Sequence, residues 1–152
     1  MSFLNAAINK VEDGDLRERL QERVDLVQHK IKFMDKVAVA CLNTANSPLG
    51  DLEGLINDAG GELQDDPAMA RVLIYCEYGS SMLQLMGSVP ALLDPAWPSV
   101  EYSRVYLWDD QTAVSDDAAS MVDAFEDLAE LLYPGYFVFG NEGKTWISFK
   151  TQ

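Results

Sequence analysis

The sequence predicts an α+β fold, mainly helical: N-terminal helices, including one long helix over about 16–45, pack with a small antiparallel sheet formed by a C-terminal β-α-β-β segment. Three observations predict it. Apolar residues recur at helical spacing through about residue 93, Val100–Trp108 alternates between two sides, and two short apolar runs near the end flank a glycine-containing loop. The chain is expected to form one domain, 1–152, with a helical subregion over about 1–93 and a β-α-β-β subregion over about 99–150.

Ser2 is a candidate N-cap, and Phe3, Leu4, Ala7, Ile8 and Val11 follow at helical spacing until Gly14. Asp15 caps a second pattern that runs without Gly or Pro to Ala45, with Leu20, Val24, Val27, Ile31, Met34, Ala38, Cys41 and Ala45 alternating by four and three. A helix of that length would extend roughly 45 Å. Leu26, Phe33, Val37 and Ala40 widen its apolar face beyond a two-stranded seam, so it is expected to be buried within the domain. His29 falls on the opposite side and is expected in solvent, with Asp25 one turn away.

Asn46-Ser47-Pro48 breaks this helix, and a short one over 49–59 ends at Gly60-Gly61. Asp66-Pro67 opens a further helix carrying Met69, Val72, Leu73, Cys76, Leu83 and Met86, with a weak point at Gly79-Ser80-Ser81. Asp94-Pro95-Ala96-Trp97-Pro98 is a rigid connection to the strand Val100–Trp108. From Ser115 a helix carries Met121, Val122, Phe125, Leu128, Ala129 and Leu132. It ends at Tyr133-Pro134-Gly135 and leads to a β-hairpin of Tyr136–Phe139 and Thr145–Phe149. The stretch from Tyr133 to Gly140 resembles one in a class of bacterial immunity proteins, over under a tenth of the chain, and no functional residue is carried over from it.

The net charge of −14 is unevenly placed. Residues 1–48 hold seven acidic and seven basic side chains, residues 49–93 seven and one, and residues 94–152 eleven and three. Such a surface repels nucleic acid and anionic lipid and attracts basic proteins. The longest apolar runs, Val37–Leu42 and Tyr136–Phe139, fall far short of the roughly 20 residues of a membrane helix. Cys41 and Cys76, without a CxxC pattern, read as buried thiols in a reducing cytoplasm, with a bridge between them as the alternative. The first fifteen residues lack the pattern of a secretory signal. A cytoplasmic location follows as the expectation.

Catalytic motifs fail one by one. Gly135 to Gly140 has the glycine spacing of a phosphate loop, but Asn141-Glu142 stands where Lys-Ser/Thr is needed. Gly79-Ser80-Ser81 is no nucleophile elbow. Val114 occupies the position where a calcium loop needs glycine. No cofactor and no metal-ligand set is expected. What remains is a stripe: Asp116, Asp123, Asp127 and Glu130 share one face of the helix from Ser115, Glu126 flanks it, Asp109 and Asp110 precede it, and no Lys or Arg occurs between Arg104 and Lys144. These seven carboxylates are the candidate protein-binding site.

The function expected is therefore a non-enzymatic acidic inhibitor, of the immunity, antitoxin or phage counter-defence kind. It would cover a basic surface of a partner protein such as a nuclease or nucleic-acid-binding complex. Two alternatives come from other classes. One is an assembly protein that makes a homo-oligomer through the long helix; the other is a metal-assisted enzyme using Asp109, Asp110 or Glu62.

Overall fold

The computed structural model describes residues 3–77 (Asp51 in its backbone alone), 79–108 and 117–149. Helix α1 spans Phe3–Ile8 and α2 spans Gly14–Ile31. The Asp13 carboxylate caps α2, accepting from the amides of Asp15 and Leu16, and Leu20, Val24, Val27 and Ile31 form its buried stripe. The helix stops there. Residues 32–36 turn the chain, and strand β1, Val37–Leu42, follows.

The long helix expected over 16–45 is thus a helix and a strand, and the homo-oligomer built on it loses its basis. The physical reason lies in burial. Val39 to Leu42 are covered on both faces, so the strand shows no polar alternation, and its apolar run continues the helical count by coincidence.

The later half-turns repeat this pattern. A 3-10 turn, Gly50–Leu52, leads into α3, Glu53–Asp58, and then β2, Gly61–Leu63. Asp66 does cap a turn, accepting from the Ala68 amide at 2.9 Å, but that turn is the short 3-10 element Pro67–Met69. The helix expected beyond it is instead strand β3, Val72–Tyr75, and helix α4, Met82–Ser88, separated by Gly79 at φ +81°. Helix α5, Pro98–Glu101, precedes β4, Val105–Trp108. Helix α6 is Ala118–Leu132, capped by Asp117, and β5 is Trp146–Phe149. Of the expected hairpin only this second strand forms, and its partner is β4.

The sheet has five strands in the order β2-β1-β3-β4-β5. β1, β2, β3 and β4 are parallel, and β5 closes the edge antiparallel to β4, with Trp108 opposite Trp146. The α+β arrangement with a small antiparallel sheet is therefore replaced by an α/β fold on a mixed, mostly parallel sheet. One face packs α1, α2, α3 and α6 around residues such as Leu4, Val24, Ile74 and Phe125; the other packs α4 and α5 over Leu42, Tyr75, Leu85 and Leu107. Among the described residues no helix is long and apolar enough to cross a membrane.

Gly60 is where the sequence-read helix end and the tertiary structure meet. Its φ is +93°, a Cβ there would run into the Tyr133 hydroxyl, and that hydroxyl donates to the Gly60 and Asp35 carbonyls at 3.1 and 3.2 Å. Gly60→Ala is expected to cost about 2 kcal/mol in chemical denaturation, from the left-handed backbone and the displaced hydrogen bonds together. Gly79→Ala, at similar φ but with nothing within 4 Å, should cost the backbone share alone. Equal losses at the two positions would show that the Tyr133 contact carries no energy.

Candidate functional site

The strand order sets the place where the sheet can receive a ligand. The chain leaves β1 to one side to form β2 and returns to the other side to form β3, so the connections after β1 and β3 diverge at their carboxyl ends, the switch point where sheets of this kind offer a crevice to a ligand. Residues 43–49, 76–77 and 79–81 follow β1 and β3 at that edge.

The first loop is a tight, polar turn. The Asn43 side-chain oxygen accepts from the amides of Ala45 and Ser47 at 2.9 and 3.0 Å, and Asn46 sits at φ +57°, a conformation that asparagine tolerates. Pro48 then bridges back to Leu42. The second loop begins at the buried Cys76 and ends at Ser81, whose hydroxyl and backbone amide form a capping box with Gln84.

Cross-links hold the two loops together. The Tyr75 hydroxyl donates to Asn46 Oδ1 at 2.7 Å, Asn46 Nδ2 donates to the Leu92 carbonyl at 3.1 Å, and the Thr44 amide donates to Glu77 Oε2 at 2.8 Å. Burial pushes the Tyr75 phenol up to about 12, so it stays a neutral donor throughout the ordinary pH range. These bonds fix the polar edge at the switch point. None of them pairs a nucleophile with a general base.

The acidic residues singled out in the sequence lie elsewhere and do not share one surface. Asp109, Asp110 and Asp116 fall outside the described residues. Asp123 and Glu126 meet Arg23 of α2: Arg23 Nη2 lies 2.6 Å from Asp123 Oδ1, and Nε lies 3.2 Å from Glu126 Oε2. The cation missing from the surrounding sequence is supplied by a helix a hundred residues away.

Asp127 and Glu130 point inward. Asp127 accepts from Trp108 Nε1 at 3.2 Å and Asn141 Nδ2 at 2.8 Å; Glu130 accepts from Trp146 Nε1 at 2.9 Å and from the amides of Gly140 and Phe139. Both carboxylates are buried. The segment 137–146 lies along the outer side of α6, so the face that periodicity assigns to solvent is covered by residues that periodicity cannot see.

A recess of about 360 Å³ lined by Asp123, Glu126, Asp127, Phe139, Asn141 and Thr145 opens beside this cluster. A second concavity, about 590 Å³, runs between α1 and the start of α6, lined by Phe3, Ala7, Val11, Ala118 and Met121 among others. Among the described residues no three His, Cys, Asp or Glu side chains gather as a metal site, and Glu62, named for the metal-assisted alternative, lies exposed on β2.

His29 is exposed, as expected, and Cys41 and Cys76 are buried thiols with no disulfide between them. The sequence signal for the carboxyl-edge site was present in its turn chemistry. Asn43 to Pro48 and Gly79 to Ser81 each follow an apolar run, which is how a strand that opens into a loop reads.

No family model and no curated protein matches this chain. Solved structures do. An ABC transporter substrate-binding protein from Listeria monocytogenes EGD-e aligns with a TM-score of 0.62 at 16% identity, over 78% of this chain and 56% of that one. A protein of the ABC-type Fe3+-hydroxamate transport system from Saccharomonospora viridis aligns at 0.61 and 14%, over 79% and 49%. A periplasmic heme binding protein from Pseudomonas aeruginosa aligns at 0.53 and 15%, over 80% and 51%. At such identities the likeness shows the fold, and the chain spans about half the length of each of these proteins.

These findings correct the functional expectations. The neighbours are solute-binding and transport proteins by name, which overturns the inhibitor, immunity-protein and counter-defence readings and the basic nuclease as partner. The physical reason is the one above: half of the described stripe is buried, and the other half already has Arg23. The cytoplasmic expectation is overturned as well, since one neighbour is periplasmic. Its premises were the buried thiols and the lack of a secretory pattern in the first fifteen residues. Burial raises the Cys41 thiol, with the neighbouring Cys76 adding to the rise, and a thiol kept from ionising resists oxidation in any compartment.

Proposed function

We propose that this chain is a binding module that holds a small ligand at the carboxyl edge of its sheet, over the ends of β1 and β3, and performs no chemistry on it. The observation that carries the reading is the switch point between β1 and β3, where hydrogen bonds from Tyr75 to Asn46 and from the Thr44 amide to Glu77 hold a polar edge. The names of the proteins with similar folds, for heme and for Fe3+-hydroxamate, support a small metal-chelate as the ligand. Between those two, the net charge of −14 favours a neutral or cationic chelate over a porphyrin with two carboxylates.

Differential scanning calorimetry with a cationic ferric trihydroxamate and with hemin tests this. The trihydroxamate is expected to stabilise the protein, by about 2.7 kcal/mol at a hundred times Kd, with hemin giving less. Tyr75→Phe, which frees Asn46 while leaving the ring in place, should weaken the ligand effect at little cost to the unliganded fold. The reading fails if neither compound shifts Tm, or if Tyr75→Phe responds like wild type.

A further inference from the structure

At the end of the sheet opposite the crevice, the surface changes character. Between Leu26 and Lys36 the chain carries Lys30, Lys32 and Lys36 and a single carboxylate, Asp35, in a protein whose net charge is −14. All three lysines are exposed. Exposed apolar side chains stand among them: Leu26 and Phe33 from α2 and the turn after it, and Tyr136 and Val138 from the segment after α6.

Four contacts tie this patch together. Lys30 Nζ lies 5.4 Å from the ring centroid of Phe137, which sits between Tyr136 and Val138. Lys32 Nζ lies 5.3 Å from the Phe33 ring. The Tyr133 hydroxyl donates to the Asp35 carbonyl, and the Tyr136 amide donates to the Tyr133 carbonyl, which ties the turn after α2 to the segment after α6. Phe33 precedes β1, and Arg104, which precedes β4, donates to the Leu131 and Leu132 carbonyls at the end of α6, so the patch lies at the amino ends of the strands.

We propose that this patch docks the protein on an anionic bilayer surface. Phe33 is 90% exposed and Val138 84%, so both stand clear of the surface instead of lying in it. Apolar side chains this exposed, set among lysines, suit insertion at a headgroup boundary. The lysine ammoniums sit beside aromatic rings, Lys30 against Phe137 and Lys32 against Phe33, where they can meet lipid phosphates. Against the three lysines the patch sets Asp35, and Asp58 lines one recess with Lys32 and Lys36 while its Oδ2 accepts from the Leu4 amide. Binding here leaves the crevice at the far end of the strands open, so the two can be occupied together.

Co-sedimentation of the full chain with vesicles tests it, comparing phosphatidylcholine alone with a mixture rich in phosphatidylglycerol. Wild type is expected to bind the anionic vesicles at least about tenfold more strongly than the neutral ones, and less as salt rises. Phe33→Ser with Val138→Ser, and separately Lys30→Glu with Lys32→Glu, should each lose about tenfold on anionic vesicles with unchanged circular dichroism. Equal binding to both vesicles, no binding to either, or variants that bind like wild type would overturn the proposal. So would a concentration-dependent self-association, seen in the ultracentrifuge, that the Phe33 and Val138 changes abolish, since that would assign the patch to a second copy.

Discussion

Replacing Glu130 with alanine is expected to destabilise the protein by about 3–5 kcal/mol in urea unfolding, more than any other single change considered for its surface-facing helices. The substitution removes no large apolar contact. It leaves the Trp146 indole N–H and the amides of Phe139 and Gly140 inside the protein without their acceptor, and each such orphan costs about 1–3 kcal/mol. Glu126→Ala is the control, one turn earlier on the same helix. Its partner Arg23 is partly exposed and keeps Asp123, so the loss should stay under about 1 kcal/mol. Similar losses in the two variants would mean that the donors around Glu130 find water instead, and that the segment 137–146 is not held by it.

Asp127 gives stability an unusual dependence on pH. Burial holds its carboxyl up at about 6, from an ordinary value of 3.8; the hydrogen bonds from Trp108 and Asn141 pull it down and the nearby Glu130 adds to the rise. The native state therefore binds this proton more tightly than the unfolded chain does. Its contribution is fully present below about pH 4 and is lost as pH rises through about 6.

Between about pH 7 and pH 4, wild type should gain about 1–3 kcal/mol relative to Asp127→Asn, which keeps the shape but cannot titrate. Because every other carboxylate is common to both proteins, the difference isolates Asp127 from the general relief of charge repulsion in acid. The measurement is urea unfolding of both at several pH values. A constant difference across that range would place the Asp127 titration at its ordinary value and contradict the burial.

What the sequence made legible was local. The Asp66-Pro67 turn, the stop at Gly60 and the apolar stripe of α6 depend on neighbours within a few residues, and all three appear where their chemistry puts them. What it hid was the sheet. Val37–Leu42 and Val72–Tyr75 are buried between two helical layers, and a strand covered on both faces loses the alternation by which strands are recognised. The six-residue run at Val37 was itself visible. It was absorbed into a helix because residues 32–36 contain neither Gly nor Pro to mark the break.

The same blindness governed the site. With β1 and β3 read as helix, Asn46-Ser47-Pro48 reads as a helix terminator and Gly79-Ser80-Ser81 as a weak point, when both belong to loops at the sheet's carboxyl edge. On α6 the error ran the other way. Asp127 and Glu130 have the sequence environment of surface residues, and only the donors brought by Trp108, Trp146 and residues 139–141 turn that face into an interior.

Synthesis of the chain meets this dependence in time. When α6 has been made, its apolar stripe can already settle on the parallel strands, but the two carboxylates on its outer side still lack Asn141, Trp146 and the amides of Phe139 and Gly140. At about 5–20 residues per second, the remaining stretch to Phe149 takes on the order of a second or a few. Until that stretch folds, the Asp127 and Glu130 side chains have water in place of the donors on residues 139–146, and the outer side of the helix is uncovered. The arrival of Trp146 opposite Trp108 then shuts the edge of the sheet and the carboxylate layer in one step, so a nascent chain stalled before it is caught with a helix docked and unsealed.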